Sequence, residues 1–527
     1  MNEKPTSRGA MTSLQAVVTN DRPSTVHSKR STVLALTIAL SASIACLFLA
    51  CRGAGRAGDT LLGIVPMETN VLGIITSKDG LHVAHVLLRG DKQVVFIDGV
   101  AQTEYDRILQ GGPVFTTDGG RYAYAVKKGD KMQAIIDGKP GPEYDGVLAG
   151  GPVFSPDGRH VAYAGRNGEE WQVILDGKPG PQYDAAGDIV FSPDGRHTAY
   201  RAEKGDAHVV IFDGRPSPDY DGTGGGSLVF SPDGKRFAYA AKKGEKWFVV
   251  ADDRPGSEYD GVSVPVFSPD GTRLAYAARN GAKWFVIVDG QPGPEYDVAE
   301  RVVFSPDGKH LGYQVWQDMK TSMVVDGQRG PEYDTLSDLI FSPDGKRTAY
   351  FGRTGNNQFA VVDGQPGPAC WPRDFAERPL FSSDSRHVAY PAQNDIGQFV
   401  IVDGQPGAVY PAARSIAFSP DGKRCAYEAW QDSKWLLVMD GQPGPETDLN
   451  FMTPPVFSPD SKRVLLLTMK GYKWLVLVDG RPGPEYDRIL SGGPTFLPDG
   501  SIGYVAMRSD SLFRVKQLLG TQAVSGH

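Results

Sequence analysis

A five-residue motif, Phe-Ser-Pro-Asp-Gly, recurs along the chain every 37 to 40 residues, and this period limits the fold more than any other feature. Intact copies begin at Phe154, Phe191, Phe230, Phe267, Phe304, Phe341 and Phe418. Degenerate copies begin at Thr76, Phe115, Phe381, Phe457 and Phe496. A fixed period of this size is typical of repeat architectures, in which each unit covers the apolar surface of its neighbours. The sequence therefore predicts about twelve tandem units.

One unit can be followed from residue 264 to residue 297. Residues 264–267 are a short apolar strand, and the Ser-Pro-Asp-Gly after it suits a type I turn, since proline presets φ at the second position. Residues 273–278 and 283–288 are two further strands, separated by Asn-Gly, a strong hairpin signal. Residues 291–297, QPGPEYD, lead into a fourth strand, whose prolines fit the edge of a sheet. The unit therefore predicts four antiparallel strands.

The third strand of this unit, KWFVIV at residues 283–288, is apolar on both faces. A sheet with one solvated face alternates apolar and polar residues, whereas a blade inside a ring is covered by neighbours on both sides. Four short antiparallel strands per unit are typical of a propeller blade. The fold class we predict is all-β, a β-propeller of about twelve four-stranded blades.

The last unit is incomplete, because no Asp-Gly and no PGPEYD follow its motif at Phe496. Residues 60–65, TLLGIV, precede the first unit and can supply the missing outer strand, which would close a ring and remove its sheet edges. Twelve blades fit either one large ring or two packed rings of about six, with a boundary near residue 300. Since a ring of twelve leaves a broad centre, we expect two rings.

An apolar segment near the N-terminus predicts where the protein is located. Residues 31–50 carry no charge and can span a bilayer, and Lys29 and Arg30 before them favour an N-terminus inside and the remainder outside. Phe-Leu-Ala-Cys, which ends at Cys51, resembles a bacterial lipobox, whose cysteine is lipidated after cleavage. A lipoprotein, an uncleaved anchor and a secreted protein all stay open. Each leads to export, and we expect a periplasmic or cell-envelope protein that is attached to the membrane only through this segment.

Five segments follow from these features. They are a cytoplasmic tail (1–30), a signal or membrane anchor (31–51), a tether (52–57), the propeller array (58–519) and a C-terminal tail (520–527).

Composition argues against two classes of protein. The net charge is −7 and the pI about 5.8, whereas nucleic-acid-binding domains usually carry a basic face, so we expect no nucleic-acid partner. The four cysteines include no Cys-x-x-Cys pair, which argues against a zinc site or a thioredoxin-like motif. Cys370 and Cys425 fall in different units, and we expect two isolated thiols rather than a disulfide.

The order of elements resembles the WD-repeat-like units of TolB-type β-propellers. The matching pattern is a strand, Ser-Pro-Asp-Gly, a basic residue, an apolar-Ala-Tyr strand and an apolar strand that ends in Asp-Gly, and it covers residues 70–519. The resemblance implies a propeller and, by analogy, an envelope protein that binds partners. The PGPEYD strand is a variation on the TolB pattern, and twelve units exceed the six blades of TolB.

Motifs for catalysis are missing from the sequence. It has no GxSxG, HExxH, Walker A or EF-hand pattern, so we expect neither an enzyme nor a metal or cofactor. One position of the unit holds His160, His197, His310 and His387 in some copies and Arg236, Arg273, Arg347, Arg424 and Arg463 in others. This interchange favours solvated cations over metal ligands. Glu-Tyr-Asp recurs in most units, and because a catalytic set is normally unique, its role is predicted to be structural.

Residues that depart from the repeat are better candidates for a binding surface. Trp316 and Trp430 lie beside turns between second and third strands, and Trp371 and Arg373 interrupt the Tyr-Asp pattern. Exposed aromatic and arginine side chains are common anchors of protein interfaces. We therefore expect a non-catalytic envelope scaffold that binds a protein. The alternatives are a propeller that binds or processes a glycan and a gating subunit for a separate peptidase, which would handle peptides.

Overall fold

The computed structural model describes residues 59–64, 71–370, 378–444, 450–451, 453–490, 493–509 and 511–518. Their regular elements are 55 β-strands in twelve antiparallel sheets, all within one compact unit. The all-β prediction and the twelve four-stranded blades are confirmed. The predicted tail, anchor and tether, with Cys51, lie outside the described residues. In the described part of the chain, no helix is long and apolar enough to cross a membrane.

Each blade has four strand positions, first to fourth in chain order. The second strands are Val83–Arg89, Tyr122–Lys128, Val161–Asn167, Thr198–Lys204, Phe237–Lys243, Leu274–Asn280, Leu311–Gln317, Thr348–Thr354, Val388–Gln393, Cys425–Gln431, Val464–Lys470 and Ile502–Arg508. The third strands are Lys92–Ile97, Lys131–Ile136, Glu170–Leu175, Ala207–Phe212, Lys246–Ala251, Lys283–Val288, Lys320–Val325, Asn357–Val362, Gln398–Val402, Lys434–Met439, Lys473–Val478 and Ser511–Gln517.

The first and fourth strands are shorter or interrupted. The first strands, several of them split in two, are Val71–Thr76, Arg107–Ile108 with Val114–Phe115, Gly146–Val147 with Val153–Phe154, Ala185–Phe191, Gly222–Thr223 with Val229–Phe230, Gly261–Val262 with Val266–Phe267, Val298–Phe304, Thr335–Leu336 with Ile340–Phe341, Leu380–Phe381, Ala412–Phe418, Asn450–Phe451 with Val456–Phe457, and Arg488–Ile489 with Thr495–Phe496. The fourth strands are Val100–Tyr105, Lys139–Pro140, Lys178–Pro179, Arg215–Pro216, Arg254–Pro255, Gln291–Pro292, Gln328–Tyr333, Gln365–Pro366, Gln405–Pro406, Gln442–Pro443, Arg481–Pro482 and Asp59–Ile64.

Two turns of each unit have the geometry that their residues predict. In the sixth blade the Gly271 amide donates to the Ser268 carbonyl at 2.8 Å, which closes the Ser-Pro-Asp-Gly turn. The Ser268 hydroxyl donates to Asp270, and this bond is the main reason why the pKa of Asp270 is lowered. Asp289 and Gly290 both adopt positive φ, 51° and 81°, as a type I′ hairpin turn requires.

Blade packs on blade through both faces of the central strands. In the sixth blade, Phe285 and Ile287 pack against Val249 of the fifth blade. Val286, which lies between them, packs against Val315 of the seventh blade. Burial of each such side chain contributes on the order of 1.5–3 kcal/mol. The continuous apolar character of the third strand therefore has the cause that the sequence predicted.

The alternating strand direction gives the ring two faces. The first strands lie nearest the centre, since those of the sixth and seventh blades contact one another, as do those of the ninth to eleventh blades. The Ser-Pro-Asp-Gly and Asp-Gly turns lie on one side of the ring, which we name the turn face. The hairpins between second and third strands and the connections between blades lie on the other side, the hairpin face.

The N-terminal strand closes the ring, as the sequence predicts. Asp59–Ile64 pairs antiparallel with Ser511–Gln517 and becomes the outer strand of the twelfth blade. The strand begins one residue before the predicted range, 60–65. Leu62 and Leu512 of this blade pack against Val83 of the first blade. The first and last segments of the array are thus joined by backbone hydrogen bonds and by a shared apolar core.

Asp59 fixes this closure with a buried carboxylate, whose side chain is 3% exposed. The Tyr486 hydroxyl donates to Asp59 Oδ1 at 3.1 Å, and Arg508 Nη2 lies 3.8 Å from Asp59 Oδ2. Burial, assisted by the Asp59 charge, raises the pKa of Tyr486 to about 12, so its hydroxyl keeps the proton it donates.

The blades form one ring, and the expectation of two rings is wrong. The sixth blade packs against the seventh across residue 300, and the twelfth packs against the first. In two rings of six, the sixth blade would pack against the first instead. The physical reason lies in the connection: Tyr296 still pairs with the third strand of the sixth blade, and Val298 already begins the seventh. Asp297 alone connects the two blades, and one residue is too short to link blades that belong to different rings.

We expect Asp59→Ala to lower the free energy of unfolding by about 3 kcal/mol, because Arg508 would keep a poorly solvated charge without its carboxylate. Chemical denaturation followed by tryptophan fluorescence measures the change. Asp91→Ala, at an exposed hairpin residue of the first blade, is the matched control and should stay within about 0.5 kcal/mol of the wild type. Equal effects of the two substitutions would show that the closure does not depend on the buried carboxylate.

His85 is an exception in the core. It occupies the position in the second strand where ten other blades carry tyrosine. Its side chain is fully buried and stacks on Phe96 at 4.8 Å, and neither ring nitrogen has a hydrogen-bond partner within the described residues. Burial lowers the pKa of His85 from 6.5 to about 4.

Between about pH 6.5 and pH 4, the unfolded chain binds a proton at His85 that the folded chain does not bind, so stability should fall as the pH drops through this range. The loss should reach at most about 3 kcal/mol. In His85→Phe, which keeps the stack and removes the titrating group, the difference between pH 7 and pH 4.5 should shrink by that amount. Unfolding curves at both pH values test this, and parallel pH dependence in the two proteins would contradict it.

Candidate functional site

The predicted binding residues do not form one patch. Trp316 and Trp430 both lie beside hairpins on the hairpin face, but they belong to the seventh and tenth blades, with two blades between them. Trp430 is half-buried against Trp435 of its own blade, with ring centroids 5.2 Å apart, and Arg414 lies 4.1 Å over Trp435. Trp371 and Arg373 lie outside the described residues.

The repeated Glu-Tyr-Asp has a structural arrangement, as predicted. Asp297 follows the fourth strand of the sixth blade and accepts a hydrogen bond from Lys283 Nζ of that blade at 2.7 Å. Its other oxygen accepts the backbone amide of Asp318, in the hairpin of the seventh blade, at 3.1 Å. These bonds, led by that from Lys283, lower the pKa of Asp297 and keep it charged. Each such aspartate therefore links two consecutive blades on the hairpin face.

The interchanging histidines and arginines lie on the turn face, and each is paired with the first aspartate of the turn between the third and fourth strands of its own blade. This turn is Asp-Gly in most blades and Asp252-Asp253 in the fifth. His310 Nδ1 lies 2.5 Å from Asp326 Oδ2, and Arg236 Nε donates to Asp252 Oδ2 at 2.9 Å. Each unit also carries an aspartate in its Ser-Pro-Asp-Gly turn, on the same face of the ring. The direct partner is instead the second aspartate of the unit, because the first is held by its own serine hydroxyl.

Arginine and histidine differ in how far they reach beyond this shared ion pair. Arg236 of the fifth blade extends to the sixth, where Nη1 donates to the Gly271 and Thr272 carbonyls at 3.3 and 2.8 Å. Its guanidinium also lies 5.0 Å over the Phe267 ring, a cation–π contact. Arg121, Arg273 and Arg347 make the equivalent contacts with their following blades. Each of these four arginines therefore fills the gap between its own blade and the next.

A histidine is too short to make these contacts, and open clefts occur at two of the histidine positions. The larger, about 990 Å³, lies between the seventh and eighth blades behind His310, and we name it the main cleft. A second cleft of about 370 Å³ lies behind His387, between the ninth and tenth blades. Both clefts are lined by the phenylalanine of the Phe-Ser-Pro-Asp-Gly motif and by the Gly-Lys turn of the following blade. These are the groups that an arginine contacts in the filled gaps.

The main cleft has apolar walls and a charged mouth. Met323 and Val325 of the seventh blade and Phe341 and Tyr350 of the eighth line its interior. Burial raises the pKa of Tyr350, so the ring is a neutral wall. Arg329 stands where most units have a proline, and this substitution is specific to the seventh blade among the fourth strands described.

Most of the charges at the mouth of the cleft are already paired. Arg347 Nε donates to Asp363 at 3.0 Å, and Arg329 Nη2 donates to Glu332 at 3.0 Å. Lys346 is the exception, since its side chain is 74% exposed and Nζ lies 3.8 Å from the Asp344 carboxylate. The mouth therefore offers one weakly held ammonium group to a ligand.

Metal ligands and reactive thiols are two further kinds of functional group that the described part of the chain could carry. No group of three or more His, Cys, Asp or Glu side chains there is placed to hold a metal ion. Cys370 and Cys425 are not joined in a disulfide, as expected, and burial raises the pKa of Cys425 to about 12, so this thiol is unreactive. Near the centre of the ring, the Asp338 carboxylate is paired with Arg301 of the seventh blade and Arg378 of the ninth.

The main cleft was missed by the sequence analysis, although its signal is present in the sequence. The interchange of histidine and arginine was interpreted only as a property of solvated cations. At His310 and His387 the same interchange leaves the gap between blades open, because a histidine side chain does not reach across two units as an arginine does. Arg329 was a second signal, because it replaces proline in an otherwise regular motif.

Comparisons with known proteins do not identify a family for this chain. No family model and no curated protein match the sequence. The chain is similar to a solved structure described as the eukaryotic initiation factor, with TM-score 0.33 and 14% identity over 62% of this chain and 95% of that one. It is also similar to TolB from Acinetobacter baumannii, with TM-score 0.23 and 14% identity over 62% of this chain and 80% of that one. At such scores neither likeness bears on family or function, and what the structure confirms is the architecture of four-stranded blades.

Reciprocal substitutions should exchange the filled and open states of the gaps. Arg236→His keeps the pair with Asp252 but loses two carbonyl contacts and a cation–π contact, and should lower the free energy of unfolding by about 1–2 kcal/mol. His310→Arg should raise it by about 1 kcal/mol, because a guanidinium there reaches the Gly345 and Lys346 carbonyls. Denaturation midpoints check both values. Destabilisation by both substitutions would mean that the gap at His310 cannot accept an arginine.

Proposed function

We propose that the protein is a non-catalytic scaffold of the cell envelope that binds a protein partner, and that the main cleft receives an exposed segment of that partner. The observation that supports this most is the open gap between the seventh and eighth blades, at a position where arginine fills the equivalent gap elsewhere. Where histidine replaces arginine, the protein lacks the stabilising contacts that the arginine would make with the next blade. This loss of stability is explained if the open space is used for binding.

The lining of the main cleft suits part of a polypeptide. Met323, Val325 and Phe341 provide an apolar interior for a side chain, and methionine adapts to ligands of different shape. Lys346 at the mouth can pair with a carboxylate beside that side chain. The segment we propose is therefore an exposed loop with an apolar residue next to Asp or Glu.

The location in the envelope is proposed from the sequence. Residues 31–50 are apolar and uncharged and follow two basic residues, which favours export of the array. Cys51 is the residue that would carry a lipid if the segment is cleaved as in a lipoprotein. Attachment at the N-terminus would tether the propeller near the membrane, where envelope partners are found.

Crosslinking in intact cells, followed by extraction of the membranes and identification of the captured proteins, tests this proposal. We expect the full-length protein to capture a stoichiometric partner and His310→Arg to lose most of it, because the new guanidinium fills the main cleft. The matched control is His160→Arg, the same substitution between the third and fourth blades, which should retain the partner. Recovery of the protein alone would contradict the scaffold function.

A second pair of variants separates the two faces of the ring. Trp316→Ala alters the hairpin face and leaves the main cleft unchanged, so the partner should still be captured. If Trp316→Ala loses the partner and His310→Arg keeps it, binding occurs at the hairpin face and the role of the cleft is wrong. The thermal transition of each variant shows whether the ring is still folded.

A further inference from the structure

A third cavity lies on the hairpin face, between the third and fourth blades, and has no part in the function proposed above. It has a volume of about 310 Å³. Leu148 and Trp171 of the third blade line one side of it. Its other side is formed by Arg201, Glu203 and His208 of the fourth blade, together with residues 185–188. Its size is at the lower end of the range for small-ligand sites.

The cavity exists because small residues face a large aromatic ring. Residues 185–187 of the fourth blade are Ala-Ala-Gly, whereas the equivalent residues of the seventh blade, beside Trp284, are Val-Ala-Glu. A Cβ atom on Gly187 would lie 2.9 Å from Leu148 Cδ2, so a larger residue cannot be placed there without displacing that side chain. The residues in front of Trp171 therefore leave a space that the larger residues beside Trp284 would occupy.

The Trp171 ring is held in place before any ligand binds. The Arg166 guanidinium lies 5.8 Å from its centroid, and Arg166 Nη1 donates to the Gly168 carbonyl at 2.6 Å. The Trp171 backbone exchanges hydrogen bonds with Tyr183 in the outer strand. A fixed indole provides a flat apolar surface with little loss of side-chain entropy on binding.

Planar polar groups surround that surface. Arg201 is paired with Asp188 and donates to the Thr223 carbonyl at 3.2 Å, while its buried Nε has no hydrogen-bond partner within the described residues. On the fourth blade, His208 Nδ1 lies 3.3 Å from Glu203 Oε1. Among the residues that line the cavity, the two carboxylates of Asp188 and Glu203 stand against the one guanidinium of Arg201. The cavity therefore disfavours anions and presents several donors and acceptors at fixed positions.

We propose that this cavity binds a sugar residue of a glycan, either neutral or carrying an amino or acetamido group. The C–H face of a pyranose ring stacks on an indole, and its hydroxyl groups both accept from guanidinium and donate to carboxylate. Trp171 supplies the first contact, and Arg201, Glu203 and Asp188 supply the second. This site is separate from the main cleft, so a glycan and a protein partner can be bound at the same time.

The test is titration of the full-length protein with chitotriose and cellotriose, followed by saturation-transfer NMR and tryptophan fluorescence. We expect at least one of these neutral trisaccharides to bind and trigalacturonate, which is anionic, to bind about tenfold more weakly. Trp171→Ala should lower the affinity about tenfold. Trp284→Ala, at the same strand position in the sixth blade, is the matched control and should bind within about twofold of the wild type.

Glu203→Gln keeps the shape of the cavity and tests the polar contacts if Trp171→Ala does not fold. It should lower the affinity about fivefold while the thermal transition stays unchanged. The proposal is overturned if neither neutral trisaccharide binds, if trigalacturonate binds best, or if Trp284→Ala loses as much affinity as Trp171→Ala. His310→Arg should not change the titration, so failure of this site and failure of the main cleft can be told apart.

Discussion

Each blade is held in place by packing against its two neighbours. Third strands such as Lys283–Val288 are apolar on both faces. A blade that lost either neighbour would therefore expose an apolar face to water. An array with this property must end in caps or close on itself. Here it closes, and the outer strand Asp59–Ile64 completes the twelfth blade from the opposite end of the chain.

Closure also explains where polar groups are buried. Asp59 has its partners in the eleventh and twelfth blades, and Arg514 of the twelfth blade donates to the Leu81 carbonyl of the first blade at 2.6 Å. Elsewhere consecutive blades are linked by repeated contacts, such as the aspartate of Glu-Tyr-Asp on the hairpin face and the interchanging arginine on the turn face. Sites arise where these repeated links are absent or where a side chain departs from the repeat.

Much of the fold could be predicted from the sequence because the signals are local and repeated twelve times. The turns at Ser268 and Asp289 have the geometry that their residues require, and the third strand Lys283–Val288 has the predicted bounds. The number of rings was predicted wrongly, because it depends on which distant blades meet. The candidate site was missed for a related reason. Whether a side chain crosses the gap to the next blade, as that of Arg236 does and that of His310 does not, can be seen only when the two blades are packed together.

The secondary structure, the number of blades and the strand that closes the ring could all be predicted from the sequence, since they follow from turn chemistry, strand periodicity and an unmatched last unit. Three features became visible in the folded protein: one ring contains all twelve blades, the gaps behind His310 and His387 are open, and a cavity lies in front of Trp171. These features depend on distances between residues about 37 positions apart in neighbouring blades. Local sequence patterns do not contain those distances, because they are set by how the packed blades meet.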